Sequence, residues 1–448
     1  MDVRLHSFRS LDGEARALLT RLARVKPFAL LEPMLPAAAI STAAQLSIER
    51  YLARGRRELR RRIRDFRIWL GEAAAEGYAT PADAQRRFTM LRLRFNTLLS
   101  QFDLFADVIT QRSEHDSGVW LAGLEAVAND ALALSGYYEP PPVLCYLDRG
   151  PGAAIRRART RLPGGAESPV AIIRVPRERM VGSGIASSLV HEVGHQGAAL
   201  LELVESLRPV LKGMQRGGAE SPWHFWERWV SEVVADFWSV ARVGIGSTQG
   251  LMAVVSLPRA FVFRLSTEDP HPVPWIRVKL SCAIGRSLYP HAQWDVLEQT
   301  WEAFYPPENL KPETERVLVG LVETIPAFVT LLTHHRPKAL GGATLGEALA
   351  TRERQPARLS AYFRQWRHSP GRMRRAPPSL VFAVFGQARM DGNLSPEEES
   401  RAVAYLLTYW ALQNSLRSPS GKARSACGCA TRSASSSSSC ACKSMSSR

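Results

Sequence analysis

At 448 residues, with 45% apolar and 22% charged side chains, the chain can bury a large core and is long enough for more than one folded region. Its formal net charge of +16 comes almost entirely from arginine, a bias that GC-rich coding produces without any nucleic-acid partner, and the sharpest basic run, Arg54 to Arg64, lacks the aromatic interleaving and glycine-rich loops of nucleic-acid modules, so no nucleic-acid partner is expected. Before the C-terminal tail the only cysteines are Cys145 and Cys282, too few for a disulfide scaffold.

Residues 1–138 read as a helical region, with apolar side chains at helical spacing in Ala15–Leu22, Ala43–Leu52, Leu59–Leu70 and Phe88–Phe105. Asp103 to Leu134 adds two more helices, with a break expected near Ser117 and Gly118. The basic run from Arg54 to Arg64 reads as a solvated face or a protein-docking surface, with phosphate or anionic-membrane contact as the alternative. Phe28 to Ile48 is interrupted by Glu32, Pro33, Pro36 and Gln45, so neither it nor any other stretch is expected to span a membrane. The N-terminus, with Asp2, His6, Asp12 and Glu14, lacks the order of a secretory signal. The expectation is a cytoplasmic protein, a secreted one being the lesser alternative.

After Pro140-Pro141-Pro142 the texture changes, opening a core region taken as 139–344. Val143–Leu147 and Pro169–Val175 are short strand-like runs separated by turn residues, forming a small sheet. Ser183–Val204 then reads as one mostly apolar helix, begun by Ser183 or Ser187. Pro209, Gly213, Gly217, Gly218 and Pro222 suggest a loop, followed by an apolar helix over Trp226–Trp238. Leu251–Leu332 returns to helices, including Trp275–Leu288 and Glu313–Leu332. In the C-terminal helical region, 345–417, Asp391, Gly392 and Glu398 resemble half of a calcium loop. Gln387 and Arg389 occupy the upstream ligand positions, which favours a helix-loop-helix turn with Ser395 as cap and Pro396 at the first helical position. The Ser-rich tail, 418–448, is expected to be disordered; Cys427, Cys429, Cys440 and Cys442 form two C-x-C pairs, tighter than a usual zinc knuckle.

The chemistry concentrates in His191-Glu192-Val193-Gly194-His195. On a helix, His191 and His195 present two imidazoles to one ion, with Glu192 beside them as a base for a water that the ion activates. The alternative is a solvated helix whose histidines do nothing, but buried imidazoles and carboxylates need partners. Gly194 lets another backbone pack close. A catalytic zinc needs a third protein ligand. The HExxHxxGxxH solution fails, because Ala198 and Leu201 stand at its positions. Glu232 and Asp236 share one face of the later helix, with small Ala235 and Ser239 on that side. A metal held by Glu232, with Asp236 bonding a ligand imidazole, satisfies both acids; Glu227 is the rival ligand, without an aspartate four residues on.

This combination resembles the gluzincin metallopeptidases, the thermolysin-like clan, which pair HExxH with a downstream Glu-x-x-x-Asp helix. The resemblance implies a zincin-like core, α+β and predominantly helical, with a small sheet before the metal helix whose edge strand binds substrate backbone. It also implies zinc on His191, His195 and Glu232, Glu192 as general base, and Asp236 orienting His191. The His195–Glu232 spacing exceeds that of thermolysin. Asp269-Pro270-His271-Pro272-Val273-Pro274-Trp275-Ile276-Arg277 resembles the His-Pro-x-x-x-x-Arg element of membrane-embedded prenyl-protein endopeptidases. There the His and Arg lie over the cleft, so His271 and Arg277 are candidates for oxyanion stabilisation. The alternative is a Pro-rich loop capping the next helix, with Arg277 in a structural salt bridge. The expected function is zinc-dependent hydrolysis of a peptide or protein substrate. The rival is a proteolytically silent metal-binding scaffold in a bacterial assembly, docking through arginine-rich helices.

Overall fold

A computed structural model describes residues 2–148, 153–162, 167–176, 184–215, 221–266 and 269–416. Helices α1 (Val3–Arg24), α2 (Thr42–Glu76), α3 (Pro81–Thr110) and α4 (His115–Leu132) lead into strands β1 (Val143–Asp148), β2 (Ala154–Arg156) and β3 (Ala171–Pro176). Then follow α5 (Gly184–Leu200), α6 (Leu203–Gly213), α7 (Pro222–Val243), α8 (Ile245–Val255), α9 (Arg259–Val262) and α10 (Pro274–Leu288). The remaining helices are α11 (Gln293–Phe304), α12 (Pro312–His334), α13 (Leu345–Leu349), α14 (Pro356–His368), α15 (Pro370–Arg375), α16 (Pro378–Met390) and α17 (Pro396–Leu416). The fold is therefore predominantly helical α+β. The Ser-rich tail with its four cysteines, and Ser183, lie outside the described residues.

The sheet divides the interior. Its order is β1-β3-β2, with β1 parallel and β2 antiparallel to β3. Side chains alternate across the pleat, so Leu144 and Ile172 join the core of α1–α3, whereas Cys145, Ile173 and Val175 join that of α4, α5 and the later helices. Helices α1–α3 thus sit on the sheet face opposite α5. The outer edge of β1 is occupied by side chains. Gln111 exchanges two hydrogen bonds with the Leu147 backbone, at 2.8 and 2.9 Å. Glu125 accepts from Cys145 N at 2.9 Å, and Arg112, paired with Glu125, donates to the Cys145 carbonyl. These polar groups do for β1 what a fourth strand would do.

Several local expectations need correction. Helix α5, expected to run on to Val204, ends at Leu200, because Glu202 adopts a left-handed backbone, φ 52°, that a helix cannot continue through. The part of the expected loop that contains Pro209 and Gly213 is helix α6: Leu203, Leu207 and Leu211 form a buried stripe whose packing outweighs the proline, while Gly217 and Gly218 lie outside the described residues. The break before α4 falls at Gln111–Ser113, a short 3-10 turn, and Gly118 is inside α4, where a side chain would meet Ala38 and the Gln111 carbonyl at 3.0 Å. The two segments read in 43–70 are one helix running through Gly55. Among the described residues one helix is long and apolar enough to cross a membrane: α12, with a mean hydropathy of 1.7 over its most apolar window. It buries a stripe of Leu318, Leu321, Ile325, Phe328 and Leu332, packs on α7 and α10, and leaves Glu323 and Thr330 exposed. The Ser395 region is the helix-loop-helix turn. Ser395 and Glu398 cap each other's backbone N–H at 3.2 and 3.0 Å, while Asp391 accepts from Gln293, Gln387 and Ser360.

Candidate metal centre

Helices α5 and α7 meet at an unusually close crossing because their facing residues are small. A Cβ on Gly194 would lie 2.8 Å from Ala235 Cα and 2.9 Å from its carbonyl oxygen, and one on Gly197 would strike the Trp238 ring. Glycine costs helix stability, so its presence at this crossing reflects the approach of the second backbone. A buried serine chain stitches the same region. Ser187 donates to the Ser247 carbonyl, Ser247 to Ser239, and Ser239 to the Ser187 carbonyl, at 2.8, 2.7 and 3.3 Å. Ser187 therefore ties α5 to α8 from inside the helix. Trp238 Nε1 anchors α7 to the end of α4 through the Ala131 carbonyl at 3.0 Å.

This crossing brings His191, His195 and Glu232 together, with their ligand atoms all within 4.8 Å of one another. Nε2 of His191 lies 3.2 Å from Glu232 Oε2, and Nε2 of His195 lies 3.5 Å from Oε1. Tetrahedral nitrogen and oxygen ligands about 2.1 Å from a zinc ion are about 3.4 Å apart, so these separations fit a shared ion. The donor set, two imidazoles and a carboxylate, suits zinc among the common divalent ions. His191 turns Nε2 inward because its Nδ1 is held by Asp236 Oδ1 at 2.8 Å. Nδ1 of His195 lies 3.4 Å from Ser231 Oγ.

Arg277 closes the arrangement from behind. Its Nε and Nη2 bind the two oxygens of Asp236 at 2.7 and 2.9 Å, and it is buried. The structure thus places Arg277 in the salt-bridge position, not over an open cleft. His271 is on the other side of the carboxylate: its Nε2 is 3.3 Å from Glu232 Oε2, its Nδ1 is held by Asp269 at 2.8 Å, and its side chain is 48% exposed. Glu192 is buried on α5, close enough to Arg277 to support that guanidinium's charge. Glu227, the rival ligand, pairs instead with Arg208 at 2.8 Å. Asp269 and Ser231 were given no role from sequence. The signal for Asp269 was its place two residues before His271, where a short acid reaches back to both the backbone N–H and the ring.

The electrostatics call for positive charge at the centre. Burial opposes ionisation of both Glu232 and Asp236, yet each is held well below the usual carboxylate range, Glu232 by the two imidazoles and Asp236 by Arg277 and His191. Burial alone would depress His191, but the charge and hydrogen bond of Asp236, with Glu232, raise it to about 9. Without another cation, a protonated imidazole neutralises the buried acids. A divalent ion meets the same demand.

Comparison with family models, with characterised proteins and with solved structures finds no match to this chain. The functional reading rests on the site's own chemistry.

Proposed function

We propose that this chain is a zinc-dependent peptidase of the gluzincin type. The observation that carries the reading is the convergence of two imidazoles from α5 and one carboxylate from α7, with Asp236 behind the first imidazole. His191, His195 and Glu232 would hold the ion. When bound, zinc lowers the pKa of water towards neutrality and polarises a carbonyl. Glu192 is then the base that accepts the proton of the attacking water and returns it to the leaving amine. His271, oriented by Asp269 and partly open to solvent, donates Nε2–H to the oxyanion that forms at the scissile carbon. Arg277 acts further back, fixing the Asp236 carboxylate so that it holds the ring of His191. The short strand β2 is the edge beside β3 that faces away from the β1 side chains, and it suits backbone pairing with an extended substrate.

The test is metal content with hydrolysis. The wild-type chain is expected to carry stoichiometric zinc by elemental analysis and to cleave unfolded casein in a chelator-sensitive way. Glu192→Gln is expected to keep the zinc and lose cleavage. Zinc without cleavage of any peptide library, together with tight co-purification of a protein partner, favours the silent scaffold instead.

A further inference from the structure

A cavity of about 950 Å³ lies between helices α2 and α3, residues 139–142 and the hairpin that joins β2 to β3. We propose that it binds a peptide segment rich in acidic side chains. Three arginines enter it from three separate elements: Arg54 from α2, Arg94 from α3 and Arg159 from the hairpin. None of the three side chains has an ion-pair or hydrogen-bond partner among the described residues. A fourth, Arg62, is engaged with Glu58 at 2.7 Å. Glu139 and Glu167 also line the cavity, so its unpaired cations exceed its unpaired acids by a single charge.

Three features favour a peptide over a small anion. The volume is that of a site for a drug-sized molecule or a few residues, well above that of a phosphate or a lone carboxylate. The three arginines come from three separate elements, so a ligand that satisfies them carries several acidic groups, each a bidentate partner for one arginine. The lining also includes Leu59, Leu98 and Pro140–Pro142, which suits a ligand that carries apolar side chains among its acids.

The chain's own C-terminal segment is a poor occupant. Residues 417–448 contain no aspartate or glutamate and carry Arg417, Lys422, Arg424, Arg432, Lys443 and Arg448. The wall is joined to the metal helix: Ala158, next to Arg159, donates its N–H to Gln196 Oε1 at 2.7 Å, and Gln196 follows His195. The binding claim does not depend on the peptidase reading, because it is read without catalysis.

The experiment uses the full chain carrying Glu192→Gln and a short fluorescein-labelled peptide alternating Asp and Leu, with fluorescence anisotropy as readout. A second peptide replaces each Asp by Asn. Saturable binding of the Asp peptide is expected, with at least about tenfold weaker binding of the Asn peptide. Arg94→Glu and Arg159→Glu, both exposed positions, are each expected to weaken the Asp peptide by about tenfold. Arg57→Glu and Arg64→Glu, on the same helix α2 but outside the cavity, are expected to change it less than about twofold. Equal binding of the Asp and Asn peptides overturns the proposal. So does a loss with Arg57→Glu as large as that with Arg94→Glu, which marks diffuse attraction to the basic helix. Capture of phosphatidylserine vesicles without saturable peptide binding overturns it in favour of a membrane surface.

Discussion

The α5–α7 pair and the α1–α3 unit are both helical and both well packed, yet they spend their polar residues differently. In α1–α3, apolar stripes such as Leu52, Leu59, Ile63 and Leu70 face inward, and most arginines and glutamates are exposed or half-exposed. Packing and solvation account for the apolar stripes of these helices. In α5–α7, Glu192, Glu232 and Asp236 are buried, glycines stand where backbones touch, and two imidazoles point at one carboxylate. Such an arrangement is costly unless positive charge sits among the acids. The contrast separates two kinds of site: buried acids at a close helix crossing are met by buried cations, here Arg277 and the imidazoles, and could hold a metal ion, whereas the arginines of α1–α3 are hydrated by solvent.

Changes on the two sides should therefore differ in kind. The largest effect is expected from His195→Ala, which removes a ligand and should abolish both zinc retention and casein cleavage, read by elemental analysis and a chelator-controlled assay. Glu192→Gln should sharpen the contrast by separating the two: zinc content stays, while kcat falls by about a hundredfold or more. Arg277→Met leaves Asp236 buried without its main partner and should cost about 3 kcal/mol of stability in urea unfolding, with weaker zinc binding in chelator competition. Arg277→Lys should recover only part of this, since an ammonium cannot reproduce the two-pronged contact. Glycine gives the most pointed comparison. Gly194→Ala should destabilise by about 1–3 kcal/mol and lower zinc affinity, because the new Cβ pushes α7 and its Glu232 away. Gly13→Ala, on α1 with nothing within 4 Å of the added carbon, should instead stabilise by about 0.5–1 kcal/mol and leave zinc unchanged. At the small end, Thr80→Ala removes the cap of α3 and should cost about 1 kcal/mol without altering metal content.

What the sequence revealed follows the range of the interactions. Helical periodicity is local, so the long helices and the shared face of His191 and His195 could be read directly. The link from Glu232 to the histidines could be read because Asp236, four residues on, explained two buried acids at once. Features set by contacts distant in sequence were harder. Strand β2 is three residues long and has no run of its own; it exists because β3 offers it an edge. Helix α6 survives Pro209 through burial of its leucine stripe, which the local proline signal hides. Arg277 has the chemistry of an oxyanion donor, and only its placement behind Asp236 assigns it to the salt bridge. The break at Glu202 depends on a backbone conformation that glutamate rarely adopts and no local motif announces.

The most direct measurement is the zinc content of the purified chain beside that of Glu232→Ala, followed by X-ray absorption at the zinc edge. The account predicts one zinc per chain in the wild type, bound by nitrogen and oxygen ligands at about 2.0–2.1 Å, and marked loss of zinc in the variant. A wild-type chain that takes up no zinc, or one whose zinc is untouched by Glu232→Ala, would contradict it.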